Sequence, residues 1–520
     1  MIQNDDETSR TYRKGSSESI VERFSINGLH GYRSISLSSP YAATVLIAQN
    51  GSGKTTLLGA LDAFLKGQYS RLKEIIFTEI RCKLRDVEKE LVLRREDIIS
   101  LFDIPAESEI SRLARRSDQD PLVLLTFLIE DFDRLKLDLR LMDDEPVYTA
   151  VRNVVGYRHV DVVEALEKAK VSAFAHSPEL LSISQAVASV LKDTEIVYLP
   201  TYRRIEIPWT AEQDSPYRRK KRTKFRFNKS GLFSGDIQFG LADISERLSD
   251  LNQKILIDSN KGYRQISADI VNELIDGTLE RGNYDSEAIP TQADLSLFFS
   301  RLKEGRRVGP FQSFQDVSVP NIEKIYSGGE IPTESNKFLR YFLSKLSAVI
   351  DATSVVEKPV QDFIDSCNKY LSPRMAEDFM PRDNNKGDRI AGIDDKMLRL
   401  DRRTLQVYAE SVRSGRKISL EALSSGEKQM VSLFGKLFLY PNKKIVLIDE
   451  PELSLSLDWQ REIIPDVINA PLCQQIIAIT HSPFIFDNAL DPFARPLELA
   501  IDVEAAQKLD PEAGLEDLDD

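Results

Sequence analysis

Two short segments near opposite ends of the chain carry residues of the kind that handle phosphate. AQNGSGKT (residues 48–55) has the spacing GxxxxGK[ST], except that Ala48 stands at the first glycine position. Asn50, Gly51, Ser52 and Gly53 would turn backbone N–H groups toward phosphate oxygens, and a helix beginning near Thr55 would add its positive end. Lys54 is placed to reach the terminal phosphates and the Thr55 hydroxyl to hold Mg²⁺, with Thr56 beside it in the binding set. Ala48 is a mild departure, since this position asks for a small residue more than a flexible one.

The second segment, IVLIDEPEL (residues 445–453), ends an apolar run in two adjacent carboxylates. Asp449 would complete the Mg²⁺ shell, and Glu450 would polarise an attacking water. Neighbours on a strand point to opposite sides, so the pair is expected to straddle the strand's last turn. QQIIAITHSP (residues 474–483) then places His481 just past another apolar run, where an imidazole could sense a terminal phosphate. A lone histidine is usually a bystander; its interval from Asp449 favours function here.

These residues need a scaffold. IVERFSINGLHGYRSISLSS (residues 20–39) alternates like two strands around a turn at 27–31, and residues 43–48 read as a buried strand feeding the glycine loop. Strand patterns at Leu122–Asp131 and Arg134–Asp143 suggest an antiparallel side sheet. Asp193–Glu206 reads as a further central strand. Helical periodicity follows at Ile244–Glu280 and Phe338–Leu371, without heptads sustained enough for an extended coiled coil, so a compact helical insertion is expected. Two strands near residues 397–424, a helix, the strand IVLIDE, a second helix and the strand QIIAITHS complete the pattern.

Composition narrows the classes. With 520 residues and 42% apolar residues the chain can bury real cores, and no apolar run approaches the roughly 20 residues that cross a bilayer. The polar N-terminus lacks the apolar stretch of a secretory signal, so a cytoplasmic protein with no membrane partner is expected. Three cysteines and four histidines are too scattered for a disulfide framework or a zinc site. A net charge of −13 argues against coating nucleic acid over the whole surface. One stretch runs the other way: Tyr217–Lys229 holds eight Lys/Arg among 13 residues with interleaved aromatics, suited to phosphate contact and base stacking or simply to solvation.

LSSGEKQ (residues 423–429) offers a serine and backbone N–H groups at a helix start, which also suits a phosphate anion. Together the segments resemble ATP-binding-cassette (ABC) ATPases of the SMC, RecF and overcoming-lysogenization-defect kind, within the AAA-labelled group. The resemblance covers about residues 20–206 and 395–490. It implies an α/β fold: an ABC-type P-loop ATPase head, a mixed sheet with helices plus an antiparallel side sheet, interrupted by a mostly helical insertion. Residues 1–19 would be a flexible lead-in, 20–206 and 396–500 the halves of the head, 207–395 the insertion and 501–520 an acidic tail.

The same resemblance implies ATP and Mg²⁺ as cofactors and Lys54, Glu450 and His481 as the catalytic group. Ser424, Ser425 (at the usual second-glycine position), Gly426 and Glu427 would act on a nucleotide held by another copy, in a head-to-tail homodimer. Arg33 in GYRS matches a basic residue that reaches the nucleotide. The usual Gln-loop glutamine is not evident; Arg203 and Arg204 of PTYRRIE arrive there instead. In ELSLSLDWQ (residues 452–460) Leu457 and Asp458 replace the His-Pro frequent in relatives.

Within the group, the insertion and the wording of VYLPTYRRIE look most like the PtuA ATPases of Septu and retron-linked anti-phage systems. That implies a regulatory ATPase without a nuclease site of its own, controlling a separate HNH nuclease. A retron reverse transcriptase and its nucleic acid would meet the basic segment Tyr217–Lys229. Thirty-nine residues follow His481, too few for a C-terminal TOPRIM domain. A DNA-repair ATPase that clamps DNA is the alternative, though such proteins usually carry a long coiled coil or zinc hook. A transporter motor fits poorly with the large insertion.

Overall fold

The computed structural model describes residues 2–136, 142–143, 145–175, 177–200, 241–276, 289–305, 320–326, 333–371, 396–403, 406–412, 414–453 and 455–508. Arg203, Arg204, His176, the segment Tyr217–Lys229 and the acidic end from residue 509 lie outside them. Of the described residues, those before 239 and after 441 form one compact unit, and those between form a second.

The first unit opens with α1 (Ile2–Gly15), then the hairpin β1 (Val21–Leu29) and β2 (Arg33–Ser38), the short β3 (Ala43–Ile47) and α2 (Lys54–Leu65). β4 (Glu79–Leu84) and β5 (Leu91–Arg94) follow, then helices that include α3 (Pro121–Glu130), and then β6 (Thr194–Leu199). After the second unit come β10 (Lys443–Asp449), a helix at Leu457–Asn469, β11 (Cys473–Thr480), β12 (Ala494–Pro496) and β13 (Glu498–Ile501).

The parallel sheet runs β12-β3-β11-β10-β6, and an antiparallel sheet runs β13-β2-β1-β4-β5. Parallel strands covered on both faces read as continuous apolar runs, and β10 does so. Ile445 and Leu447 share a buried cluster with Leu57, Leu58 and Leu61 of α2, while Val446 and Ile448, alternating with them, are buried as well. One buried side chain ties the two sheets together. Gln475 of β11 accepts from the Ile20 and Val21 N–H groups at 2.9 and 2.8 Å and donates to Val21 O and Ser39 Oγ, both at 2.9 Å. All its hydrogen-bonding capacity at that contact is used, so a buried amide costs nothing unmet.

Two expectations are corrected here. Leu122–Asp131 is not a strand: residues 121–130 form α3, begun by Pro121 at its first position and by Asp120, whose carboxylate accepts from Leu122 N at 2.7 Å. A continuous apolar run suits a buried helix as well as a strand, and here the cap decides. Arg134 and Leu135 likewise end a short helix at Phe132–Leu135, and most of the rest of that expected strand lies outside the described residues. The side sheet extends from β1 through β4 to β5 instead. The lead-in expected to be flexible contains α1, held down where Lys14 Nζ donates to Ala470 O at 2.5 Å and Asn469 Nδ2 donates to Thr11 Oγ1 at 2.6 Å.

The second unit contains α4 (Leu241–Ile275), α5 (Gln292–Gly305), α6 (Thr333–Leu371), the small antiparallel sheet β7 (Lys396–Asp401), β8 (Gln406–Ser411) and β9 (Lys417–Ile418), and α7 (Ser425–Leu439). Gly262 of α4 meets Val349 of α6, and Glu273, further along α4, takes the hydroxyl of Tyr341, earlier on α6. The two helices are therefore antiparallel. A Cβ at Gly262 would come within 2.6 Å of Val349, so the close approach depends on glycine. At 35 and 39 residues they are longer than a compact insertion suggests. α7 belongs to this unit and not with β10: Phe434 packs its ring 5.4 Å from Tyr370, and Gly435 lies under Ile244. No helix among the described residues is long and apolar enough to cross a membrane.

Candidate phosphate site

At the carboxyl end of β3 the chain enters the loop 48–53. Ala48 is buried and donates its N–H to Thr480 O at 3.1 Å, which ties the start of the loop to the end of β11. Gly51 and Gly53 have φ of 79° and 86°, a region that L side chains rarely adopt. Gly53 is doubly constrained, because a Cβ there would lie 2.4 Å from Ile35. α2 then begins at Lys54 with no side chain capping its start, so no side chain competes for its first N–H groups.

Five side chains, from the loop, the helix start and the end of β10, converge there. Lys54, 6% exposed, donates to Glu450 Oε1 at 2.6 Å and to Asn50 Oδ1 at 3.1 Å. Thr55 Oγ1 donates to Asp449 Oδ2 at 2.5 Å. The two adjacent carboxylates thus reach the same helix end across the strand's last turn, Asp449 closing β10 and Glu450 standing just past it. The cause is local: Glu450 has φ 51°, a left-handed residue at the strand terminus, anchored by its N–H to Ile479 O at 2.8 Å. A non-glycine residue there is held by its surroundings at a cost of about 1 kcal/mol or more.

The hydroxyl of Thr55 beside the buried carboxylate of Asp449 is a hard-oxygen donor pair of the kind that suits Mg²⁺ with most of its other ligands from phosphate and water. Among the described residues no group of three or more His, Cys, Asp or Glu could hold a metal by itself. Thr56 sits half-buried in the first turn of α2, and Asn50 and Gly51 are exposed.

Arg33, at the start of β2, comes to the loop from the antiparallel sheet. Its Nη1 lies 3.5 Å from Gly51 O, and its guanidinium sits over the Tyr32 ring at 4.8 Å from the centroid. It adds a second cation beside the loop. His481 follows β11, its side chain 47% exposed, with Nδ1 3.9 Å from Glu450 Oε1. One residue of this cluster escaped the sequence reading. Glu452, 6% exposed, accepts from His481 N at 2.9 Å and Thr480 Oγ1 at 2.7 Å, and lies 2.7 Å from His481 Nδ1. Its signal was a third acid within DEPE, where a strand end already supplied two.

Residues 424–427 lie in the second unit, at the start of α7. Ser424 is the N-cap, accepting from Glu427 N at 3.4 Å, while Ser424 N donates to Glu427 Oε2 at 2.6 Å: a reciprocal capping box. Burial pushes the Glu427 carboxyl up, but hydrogen bonds from Lys396 and Ser424 outweigh it and hold the group below the usual carboxylate range. Lys396 Nζ is 2.9 Å from Glu427. Glu427, expected among the nucleotide ligands, is thereby committed to shaping the helix start. Ser424 is exposed, Ser425 half-buried and Gly426 buried. Leu457 stands 56% exposed, with Asp458 next to it in the first turn of α8 (Leu457–Asn469). The three cysteines are buried, and burial raises each thiol, that of Cys473 to about 12, which removes them from nucleophilic chemistry.

The family described as "AAA domain, putative AbiEii toxin, Type IV TA system" matches residues 186–487, more than half of the chain. That span begins after the glycine loop and includes Ser424–Glu427, Asp449, Glu450 and His481. No curated protein matches the chain significantly. Among solved structures, the Smc head domain with a coiled coil and joint derived from Pyrococcus yayanosii is similar at 13% identity. The similarity covers 95% of this chain and 99% of that one, with a TM-score of 0.28.

Proposed function

Given that this chain belongs to the AAA-domain family described as putative AbiEii toxin of type IV toxin–antitoxin systems, we propose that it is an ATP-hydrolysing switch that works as a head-to-tail homodimer. The observation that carries the reading is the convergence of Lys54, Thr55, Asp449 and Glu450 at the start of α2. The loop N–H groups, Lys54 and Arg33 would hold the triphosphate. Thr55 and Asp449 would hold Mg²⁺, which supplies charge neutralisation between the outer phosphates.

Glu450 would accept a proton from water as its oxygen bonds to the γ-phosphorus. The bond from that phosphorus to the bridging oxygen breaks, and ADP carries the released charge. Glu450 is paired with Lys54, so a γ-phosphate that takes the lysine would free the carboxylate for water. Ser424, Ser425 and the N–H groups at the start of α7 would close on the γ-phosphate bound by a second copy. Their support is the exposed, capped helix start, which suits an anion.

Complementation tests the dimer. Ser424→Arg should bind ATP yet lose hydrolysis, and Lys54→Ala should lose both. An equal mixture of the two variants should recover about a quarter of the parent rate or less, from the one composite site per mixed dimer that keeps a sound loop and a sound signature. A mixture as inactive as either variant alone overturns the sandwich.

Within this reading the chain regulates a separate nuclease of the HNH type in anti-phage defence. Two observations support that narrower role: the likeness of the insertion and VYLPTYRRIE to PtuA ATPases, and the toxin–antitoxin wording of the family. Affinity purification of the chain expressed with its neighbouring genes should co-elute a nuclease, with any reverse transcriptase or nucleic acid as further partners. Recovery of the chain with duplex DNA and repair proteins, and without a nuclease, favours the DNA-clamping alternative.

A further inference from the structure

Resting on the reading of this site as an ATPase, we propose that Glu452 is a positioning residue. It fixes which nitrogen of His481 is offered to the nucleotide. The argument starts from one oxygen. Glu452 Oε1 lies 2.9 Å from His481 N and 2.7 Å from His481 Nδ1, while Oε2 takes the Thr480 hydroxyl at 2.7 Å. A backbone N–H can only donate, so Oε1 is an acceptor at that point. An imidazole nitrogen within bonding distance of the same carboxylate oxygen must then carry its proton. Nδ1 is protonated in either charge state of the ring, and Nε2 is the nitrogen left for a ligand.

The arrangement is built into the core. Glu452 is 6% exposed, whereas the His481 side chain is 47% exposed. Gln460, on α8, holds the same turn: it donates to Glu452 O at 3.4 Å and to Leu455 O at 3.1 Å, and its Oε1 accepts from Ser482 Oγ at 2.8 Å. The residues on both sides of the imidazole are therefore fixed to the strand end. The other charged group facing the ring is Glu450, whose Oε1 is 3.9 Å from Nδ1 and is itself paired with Lys54. Without Glu452 the ring loses its deep acceptor and can rotate, exchange tautomers or turn to Glu450. A partner that orients a functional histidine is worth about 10- to 100-fold in function.

The glutamine variant separates orientation from charge. In Glu452→Gln the His481 N–H selects the carbonyl oxygen, which still accepts from Nδ1–H. The amide NH₂ then faces the Thr480 hydroxyl, which can accept.

The experiment compares Glu452→Ala, Glu452→Gln, His481→Ala and the double variant Glu452→Ala/His481→Ala by kcat, KM and the imidazole ¹⁵N spectrum. Glu452→Ala is expected to lower kcat about 10- to 100-fold with KM within about threefold. In the His481→Ala background it should have no further effect, because it acts through that ring. Glu452→Gln should restore most of the loss. Equal losses in both backgrounds, or a glutamine variant as impaired as alanine, overturn the proposal.

With four histidines in the chain, the His481 signals are identified by their loss in His481→Ala. The parent and Glu452→Gln should show the Nδ1–H form, and Glu452→Ala a mixture. A parent in the Nε2–H form overturns the proposal even if Glu452→Ala fails to fold. If the parent hydrolyses no ATP, the ATPase reading fails, and the spectrum still judges Glu452.

Discussion

Replacing Lys54 by Ala is expected to lower kcat/KM for ATP by about 10³-fold or more, the scale of removing a preorganised charge from a phosphoryl-transfer site. The size follows from where the ammonium sits. It is 6% exposed at the start of α2, held by Asn50 Oδ1 at 3.1 Å and Glu450 Oε1 at 2.6 Å, so no water-borne cation can take its place. Losing it removes the charge aimed at the outer phosphates and leaves the Glu450 carboxylate facing them unneutralised. Repulsion then adds to the lost attraction. Lys54→Arg should not restore activity, because a planar fork does not fit a cradle shaped for a compact ammonium. Calorimetric titration with ATP and steady-state hydrolysis check both variants. Tight ATP binding by Lys54→Ala would mean that the triphosphate lies elsewhere.

For Glu450→Gln, hydrolysis should fall by about 10²- to 10⁴-fold while ATP binds at least as tightly as to the parent. The second half of that statement comes from the ion pair between Lys54 and Glu450. ATP must displace Glu450 from Lys54, and a neutral amide competes for the ammonium far less than a carboxylate does. The variant should therefore accumulate the ATP-bound dimer, read as a mass doubling by light scattering on adding ATP and Mg²⁺. Parent-like hydrolysis would remove Glu450 as the base. Loss of ATP binding would show that the carboxylate serves the loop's structure instead.

Local chemistry was the most legible part of the chain. The spacing of Gly51, Gly53, Lys54 and Thr55 names a phosphate loop because few other turns need two left-handed glycines before a lysine, and the structure gives both glycines that geometry. Whereas β6, at the sheet's edge, begins with the half-buried Thr194 and Glu195, β3, β10 and β11 show as apolar runs because strands buried on both faces have little polar side to show. The same property misled at residues 122–131, where an apolar helix face and a buried strand look alike, and Asp120 with Pro121 was the only sign of a helix start. β4 and β5 carry no such signal, because EIRCKL is half polar and LVLR is only four residues long.

From the sequence alone, the phosphate loop, the acidic strand end, the histidine after the next strand and the serine-capped helix could each be named, since each depends on residues within a few positions of one another. Their arrangement could not. Alternation along β10 places Asp449 and Glu450 on opposite sides, and only the left-handed turn at Glu450, held by Ile479, brings both carboxylates to α2. The grip of Glu452 on His481 and the approach of Arg33 to Gly51 join residues far apart in the chain. No local pattern encodes such pairs. Strand order creates them, by setting β11 between β3 and β10 so that three strand ends open on one helix start.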